Sequence, residues 1–157
     1  MLSFSRKGLL LLFTICSLLL TDCASTSKSS AENDAAAKTF ATSETKGIVY
    51  LYRPGRAFAG SIQTPIKING LDAGGAGPGT YFKWELQPGK YTVSSATQGS
   101  SAVVELDVEP GKLYFLMQDY KFDVVMGAKV TIENTDAGKG KKAVEKSKLL
   151  ISPYAGK

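Results

Sequence analysis

Any chemistry in this chain has to be done by carboxylates, hydroxyls, lysines or arginines. Its 157 residues contain no histidine, which removes His-based triads, imidazole metal sites and His proton relays. The two cysteines are Cys16 and Cys23, so the long remainder has neither a disulfide nor a thiol nucleophile. The acids from residue 46 onward are Asp72, Glu85, Glu105, Asp107, Glu109, Asp119, Asp123, Glu133, Asp136 and Glu145. Glu105 and Asp107 alternate with apolar residues and therefore project together from one strand face. A glycan-cleaving pair needs two carboxyls about 5–10 Å apart across a cleft, whereas two acids on one strand more simply make a solvated face. Asp119 and Asp123 flank Tyr120-Lys121-Phe122 without the dense acidic loop that calcium sites use. Gly74 to Gly79 holds four glycines and a proline. No Lys-Ser/Thr follows it, and it opens onto a strand, so it is not a phosphate loop. The expectation is a non-enzyme with no catalytic residue, no cofactor and no metal. The alternative is a carboxylate-dependent hydrolase of cell-wall glycan built on Glu105 and Asp107.

The cations offer two anion-binding candidates. Arg53 closes the run Ile48-Val49-Tyr50-Leu51-Tyr52, where a guanidinium beside tyrosines can hold a carboxylate or phosphate, or pair internally and stack on a ring. Lys139, Lys141, Lys142, Lys146 and Lys148 form a charge cluster, of which Lys141, Lys142 and Lys146 are the candidates for an anionic membrane surface. The net charge of +5 is too small an excess to point to nucleic acid. Trp84 and Phe82 belong in the core, with an aromatic shelf for glycan as the other use.

These residues sit on a pattern of period two. Ile48 to Tyr52 is apolar at every position, as in a central strand buried on both faces. Ile66 and Ile68 alternate with Lys67 and Asn69, and Asn69-Gly70 signals a hairpin. Phe82, Trp84 and Leu86 share one strand face, as do Ala102, Val104, Leu106 and Val108. Leu113 to Met117 and Ala128 to Glu133 read as further strands. Gln87-Pro88-Gly89-Lys90 and Glu109-Pro110-Gly111-Lys112 are turns. Seven or eight short strands at this spacing make an all-β fold, a small antiparallel β-sandwich. Residues 139–150 read as one short C-terminal helix packing Val144 and Leu149 against the sheet.

The N-terminus reads as an address. Arg6 and Lys7 precede an apolar run from Gly8 to Leu20 of 13 residues, about 20 Å as a helix. That is short of a bilayer core of about 30 Å and fits a signal-peptide hydrophobic region. Beyond it, 24–45 is a polar stretch with Phe40 as its only large apolar residue. As a flexible tether of 22 residues it would span roughly 25 Å. The expected organisation is a signal segment over 1–22, Cys23 with the tether over 23–45, and the β-sandwich over 46–157.

Leu20-Thr21-Asp22-Cys23 resembles the lipobox of bacterial lipoproteins, with Asp22 standing where that pattern has Gly, Ala or Ser. The resemblance implies a diacylglycerol thioether on Cys23, with palmitate-type acyl chains, and hence a lipid-anchored protein of the bacterial cell envelope. Ala24, where Asp would mark retention at the inner membrane, leans the expectation to the outer membrane. The alternative is a secreted, non-lipidated binding protein. The ordered set Tyr50-Leu51-Tyr52-Arg53-Pro54, Ile66-Lys67-Ile68-Asn69-Gly70, Gly79-Thr80-Tyr81-Phe82, Leu86-Gln87-Pro88-Gly89-Lys90 and Val108-Glu109-Pro110-Gly111-Lys112 is similar to an uncharacterised bacterial lipoprotein family, a domain of unknown function. It also resembles the PEGA domain and the carboxypeptidase regulatory-like sandwich, modules without catalytic residues. The implied role is binding or scaffolding an envelope protein or glycan, with the membrane as the second partner.

Overall fold

The computed structural model describes residues 26–55, 62–124 and 127–154; the signal segment and Cys23 lie outside them. Among the described residues nine strands form two sheets: β1 (Gly47–Arg53), β2 (Thr64–Ile68), β3 (Leu71–Ala76), β4 (Thr80–Leu86), β5 (Gly89–Thr97), β6 (Ser100–Val108), β7 (Leu113–Asp123), β8 (Gly127–Thr135) and β9 (Lys148–Leu149). The larger sheet runs β8-β7-β1-β4-β9 and the smaller β3-β2-β5-β6. The sandwich is therefore as expected, with β1 central. Pairing is mostly antiparallel, but β1 runs parallel to β7 and β4 parallel to β9.

Among the described residues, helices α1 (Ala31–Ala37) and α2 (Ala137–Glu145) cover the outer face of the larger sheet. This explains why β1 is buried at every position. Val49 and Leu51 point into the core between the sheets with Ile66, Phe82, Trp84, Val93 and Leu116. Ile48, Tyr50 and Tyr52 point outward into a second cluster with Ala37, Tyr81, Phe115 and Val144. The burial of these two apolar layers provides most of the drive to fold.

Three expectations need correction. Gly74 and Gly75 are not loop but part of β3, whose pairing with β2 shifts register between Ile66 and Lys67. The glycines are tolerated because the Phe82 ring lies 2.9 Å from where a Gly74 Cβ would be, an approach only glycine permits in a strand. The C-terminal helix spans Ala137–Glu145 rather than 139–150, and Lys148–Leu149 turns back as β9 along Thr80 and Tyr81. It starts where Asp136 caps it by accepting from Lys139 N–H at 2.9 Å.

The third correction concerns the tether. From Thr26 to residue 46 the chain is laid along the sandwich. Ser29 N–H donates to Leu149 O at 2.8 Å and Ile151 N–H to Ser27 O at 2.9 Å, extending the β9 edge by one more strand-like segment. Ser30 caps α1, Phe40 packs its ring 5.5 Å from Tyr50 and 6.1 Å from Phe115, and Gly111 N–H donates to Ser43 O and Lys46 O. An inventory of large apolar residues undervalues this segment, because its docking relies on polar groups meeting an open sheet edge.

Candidate functional site

Call the upper end of the sandwich the one at which β1 finishes. Here Arg53 is 2% exposed. Its Nη1 donates to Ile62 O and Thr64 Oγ1 at 2.9 Å and to Ala76 O at 3.0 Å, tying the ends of β1, β2 and β3 together. The guanidinium lies 5.0 Å from the Tyr120 ring centre. Burial pulls its pKa down from the usual guanidinium value, and nearby Tyr120 and Asp119 oppose that pull. Nη1 is thus given to neutral oxygens and the guanidinium plane to a ring, which is the structural use.

The parallel β1–β7 register carries Tyr52 to Met117, so Gln118 follows beside Arg53. Gln118 is fully buried and donates to Ser95 Oγ at 2.8 Å, which itself donates to Pro65 O at 2.8 Å. This polar inclusion between the sheets was not expected. Its only trace in the sequence is a Gln ending the apolar run Leu113 to Met117.

The lysine candidates lie elsewhere. Lys141 is half-buried with Nζ 5.2 Å from the Phe40 ring centre, while Lys142 and Lys146 are exposed at the end of α2. They do not converge with Arg53. Glu105 and Asp107 project from the outer face of β6, opposite Thr92 and Lys90 of β5, and bound a shallow cavity of about 440 Å³. Asp119 is 7% exposed and accepts from the Tyr120 N–H at 3.0 Å. Trp84 is core, stacked 5.2 Å from Phe82, with its indole N–H donating to Ser152 Oγ at 2.8 Å.

The most constructed feature is the docked N-terminal arm. Thr26 N–H donates to Gln63 Oε1 at 2.9 Å, Gln63 Nε2 returns to Thr26 O at 3.3 Å, and Gly75 N–H donates to Thr26 Oγ1 at 2.8 Å. One of these bonds reaches β3, an edge strand of the smaller sheet, at Gly75. Further along, Asp34 accepts from Leu149 N–H at 2.9 Å, Tyr81 O–H at 3.0 Å and Lys38 Nζ at 2.8 Å. Burial would raise its pKa, but the bonds from Lys38, Leu149 and Tyr81 outweigh it and hold Asp34 below the ordinary carboxylate value. Beside the arm runs a groove of about 540 Å³ between Gly74-Gly75 and Ile151-Ser152-Pro153.

The class defined by this geometry is a two-sheet all-β sandwich with one face under helices and an edge closed by its own N-terminal arm. Among the described residues no three acids gather as a metal site, and no helix is long and apolar enough to cross a membrane. The chain belongs to the family of proteins of unknown function DUF2846, whose profile matches residues 43–135. That stretch covers β1 to β8 and leaves out residues 26–42 with α1, as well as α2 and β9. The chain is also similar to an uncharacterized protein of Haemophilus influenzae, 30% identical over 138 residues, covering 86% of this chain and 80% of that protein.

Proposed function

We propose that this protein is a lipid-anchored lipoprotein of the bacterial cell envelope, held by diacylglycerol on Cys23, whose sandwich is a non-catalytic binding or scaffolding module. The observation that carries it is the order of segments: a basic flank, an apolar run too short to span a bilayer, Leu20-Thr21-Asp22-Cys23, and a folded sandwich from Thr26. Two or three acyl chains at ~0.8 kcal/mol per buried methylene give stable attachment where one would not. A module role of the PEGA kind is supported by the sandwich itself and by the carboxylates, since Glu105 and Asp107 share an exposed sheet face and Asp107 has Lys90 opposite it. By its Ala24 the protein is assigned to the outer membrane of a host that has one, with an envelope protein or glycan as partner.

Mass spectrometry of the N-terminal peptide from the membrane fraction tests the anchor. A peptide beginning at Cys23 with a diacylglycerol mass is expected; a soluble protein with unmodified Cys23 refutes it. Turnover of wall fragments that is abolished by Glu105→Ala or Asp107→Ala would refute the non-catalytic assignment.

A further inference from the structure

We propose that the upper end of the sandwich is a membrane-contact surface, laid against the bilayer with Ile62, Phe122 and Val124 entering the headgroup region. This deepens the proposed function and rests on its Cys23 anchor. Thr26, fastened to Gln63 and Gly75, lies three residues after Cys23. No chain can stretch such a separation beyond about 11 Å. An anchor at Cys23 therefore holds the Gln63 corner of the domain against the lipid.

The exposed apolar residues gather at that corner. Among the described residues, the large hydrophobics left in solvent are Ile62, Leu71, Val103, Phe122, Val124 and Ile151, with Phe122 at 70% and Val124 at 91%. Ile62 is the neighbour of Gln63, and it lines one cavity of about 500 Å³ together with Phe122 and the Gln98 turn. Val124 follows the end of β7, and Ile151 donates its N–H to Ser27 O in the arm. Ile62 and Ile151 thus stand beside the anchor point, with Phe122 across the shared cavity and Val124 two residues further on.

Lys121 and Lys129 face each other in register across β7 and β8, one position before the Phe122–Ala128 pair. Lys121 lies 3.7 Å from Asp119, and the exposed Lys129 adds a second positive charge beside it. Aromatic and aliphatic residues flanked by lysines are what a surface resting in an anionic lipid interface needs. The opposite end has the turns at Pro88-Gly89-Lys90 and Glu109-Pro110-Gly111-Lys112. It stands about 30 Å away along the nine residues of β5.

The absence of any cysteine beyond Cys23 allows a clean test on the lipidated full chain. Gln98→Cys at the upper end and Lys112→Cys at the lower end, both exposed, are spin-labelled in vesicles of phosphatidylethanolamine and phosphatidylglycerol. Collision rates with oxygen and with a nickel chelate are then measured. The expected oxygen-to-nickel ratio is several-fold higher at position 98 than at 112, and adding Ile62→Ser with Phe122→Ser brings it down to the value at 112. Equal ratios at the two positions, with Cys23 shown to be diacylated, overturn the orientation while the anchor stands. A 98 label shielded from both oxygen and nickel marks a protein partner on this surface and likewise overturns it. Absence of lipid on Cys23 removes the anchor and the orientation with it.

Discussion

Asp34 is the residue on which docking of the arm turns. Replacing it with Ala removes an acceptor from Leu149 N–H, Tyr81 O–H and Lys38 Nζ. Lys38 is 20% exposed and keeps a bond to Ser147 O at 2.8 Å, so it can turn to water. Leu149 N–H cannot do so without moving the arm, and Tyr81 O–H keeps only the Asp34 carbonyl at 3.4 Å. Each stranded buried donor costs about 1–3 kcal/mol, and Ala regains a few tenths through helix propensity. A net loss of about 1–3 kcal/mol follows. The cost can be escaped by local opening of the arm, so two readouts are needed. Urea unfolding followed by fluorescence of Trp84, the single tryptophan, reports global loss; amide exchange at Leu149 and Ile151 reports the opening. Asp34→Ala should lower the unfolding midpoint or accelerate exchange at these two amides by at least tenfold, the equivalent of about 1.4 kcal/mol. The pH dependence follows from the depressed pKa. The contribution of Asp34 is fully present above the unfolded value of 3.8 and is lost as pH falls through the lower folded value. The difference between wild type and variant should therefore be flat at neutral pH and shrink only below that value. An unchanged midpoint together with unchanged exchange at Leu149 would refute the arm as a docked element.

Other expectations are more local. A Cβ at Gly140 would overlap the Phe115 ring, so Gly140→Val should lose about 1–3 kcal/mol by overpacking α2 against β7, read as a lower unfolding midpoint. Arg53→Met leaves Thr64 and two carbonyls without their donor and should cost about 2–4 kcal/mol without changing vesicle binding. Tyr50, whose hydroxyl donates to Ala37 O at 2.7 Å, is pushed up to about 12 by burial and by Glu85. Its contribution is complete below pH 10 and lost on the way to that value, so alkaline unfolding should begin in this window and move to higher pH in Tyr50→Phe.

The β-sandwich was legible because period-two patterning and Pro-Gly turns are local signals. The all-apolar run at β1 announced two covered faces. What covered the outer face was half visible, in the Val144 side of α2, and half hidden in α1, whose seven residues look marginal in isolation. Residues 26–45 were misread for a related reason. Their docking depends on Leu149 N–H, Gln63 and Gly75 N–H standing more than a hundred or several tens of residues away, and no local composition reports such partners. Gly74 and Gly75 failed as a loop because their need for glycine comes from Phe82 and Gln63 in space. Arg53 was placed at the end of its strand correctly, but its burial depended on the ends of β2 and β3 closing over it. Gln118 carried almost no signal, since one polar residue after an apolar run reads as a strand turning to solvent.

The docked arm changes what kind of partner the sandwich can meet. A flexible tether of the length expected from composition would let the domain sample roughly 25 Å of height and every orientation. With Thr26 fastened to Gln63 and Gly75, and Asp34 locking β9, an anchor at Cys23 leaves only three residues of freedom. The outer face of the smaller sheet, with Lys67, Thr92, Glu105 and Asp107, then stands upright from the membrane plane, and the Pro-Gly turns at the lower end point away from it. That upright face is open and polar apart from Val103, whereas the larger sheet is already sealed by its helices. A partner bound by this protein in its anchored form is therefore expected on the smaller sheet or at the lower turns, within about 30 Å of the bilayer. Photocrosslinking from Thr92 and from Lys146 distinguishes the two faces. Products from Thr92 alone fit the upright geometry, and products from Lys146 alone would mean that the helical cover, and the lysines on it, are the recognition surface.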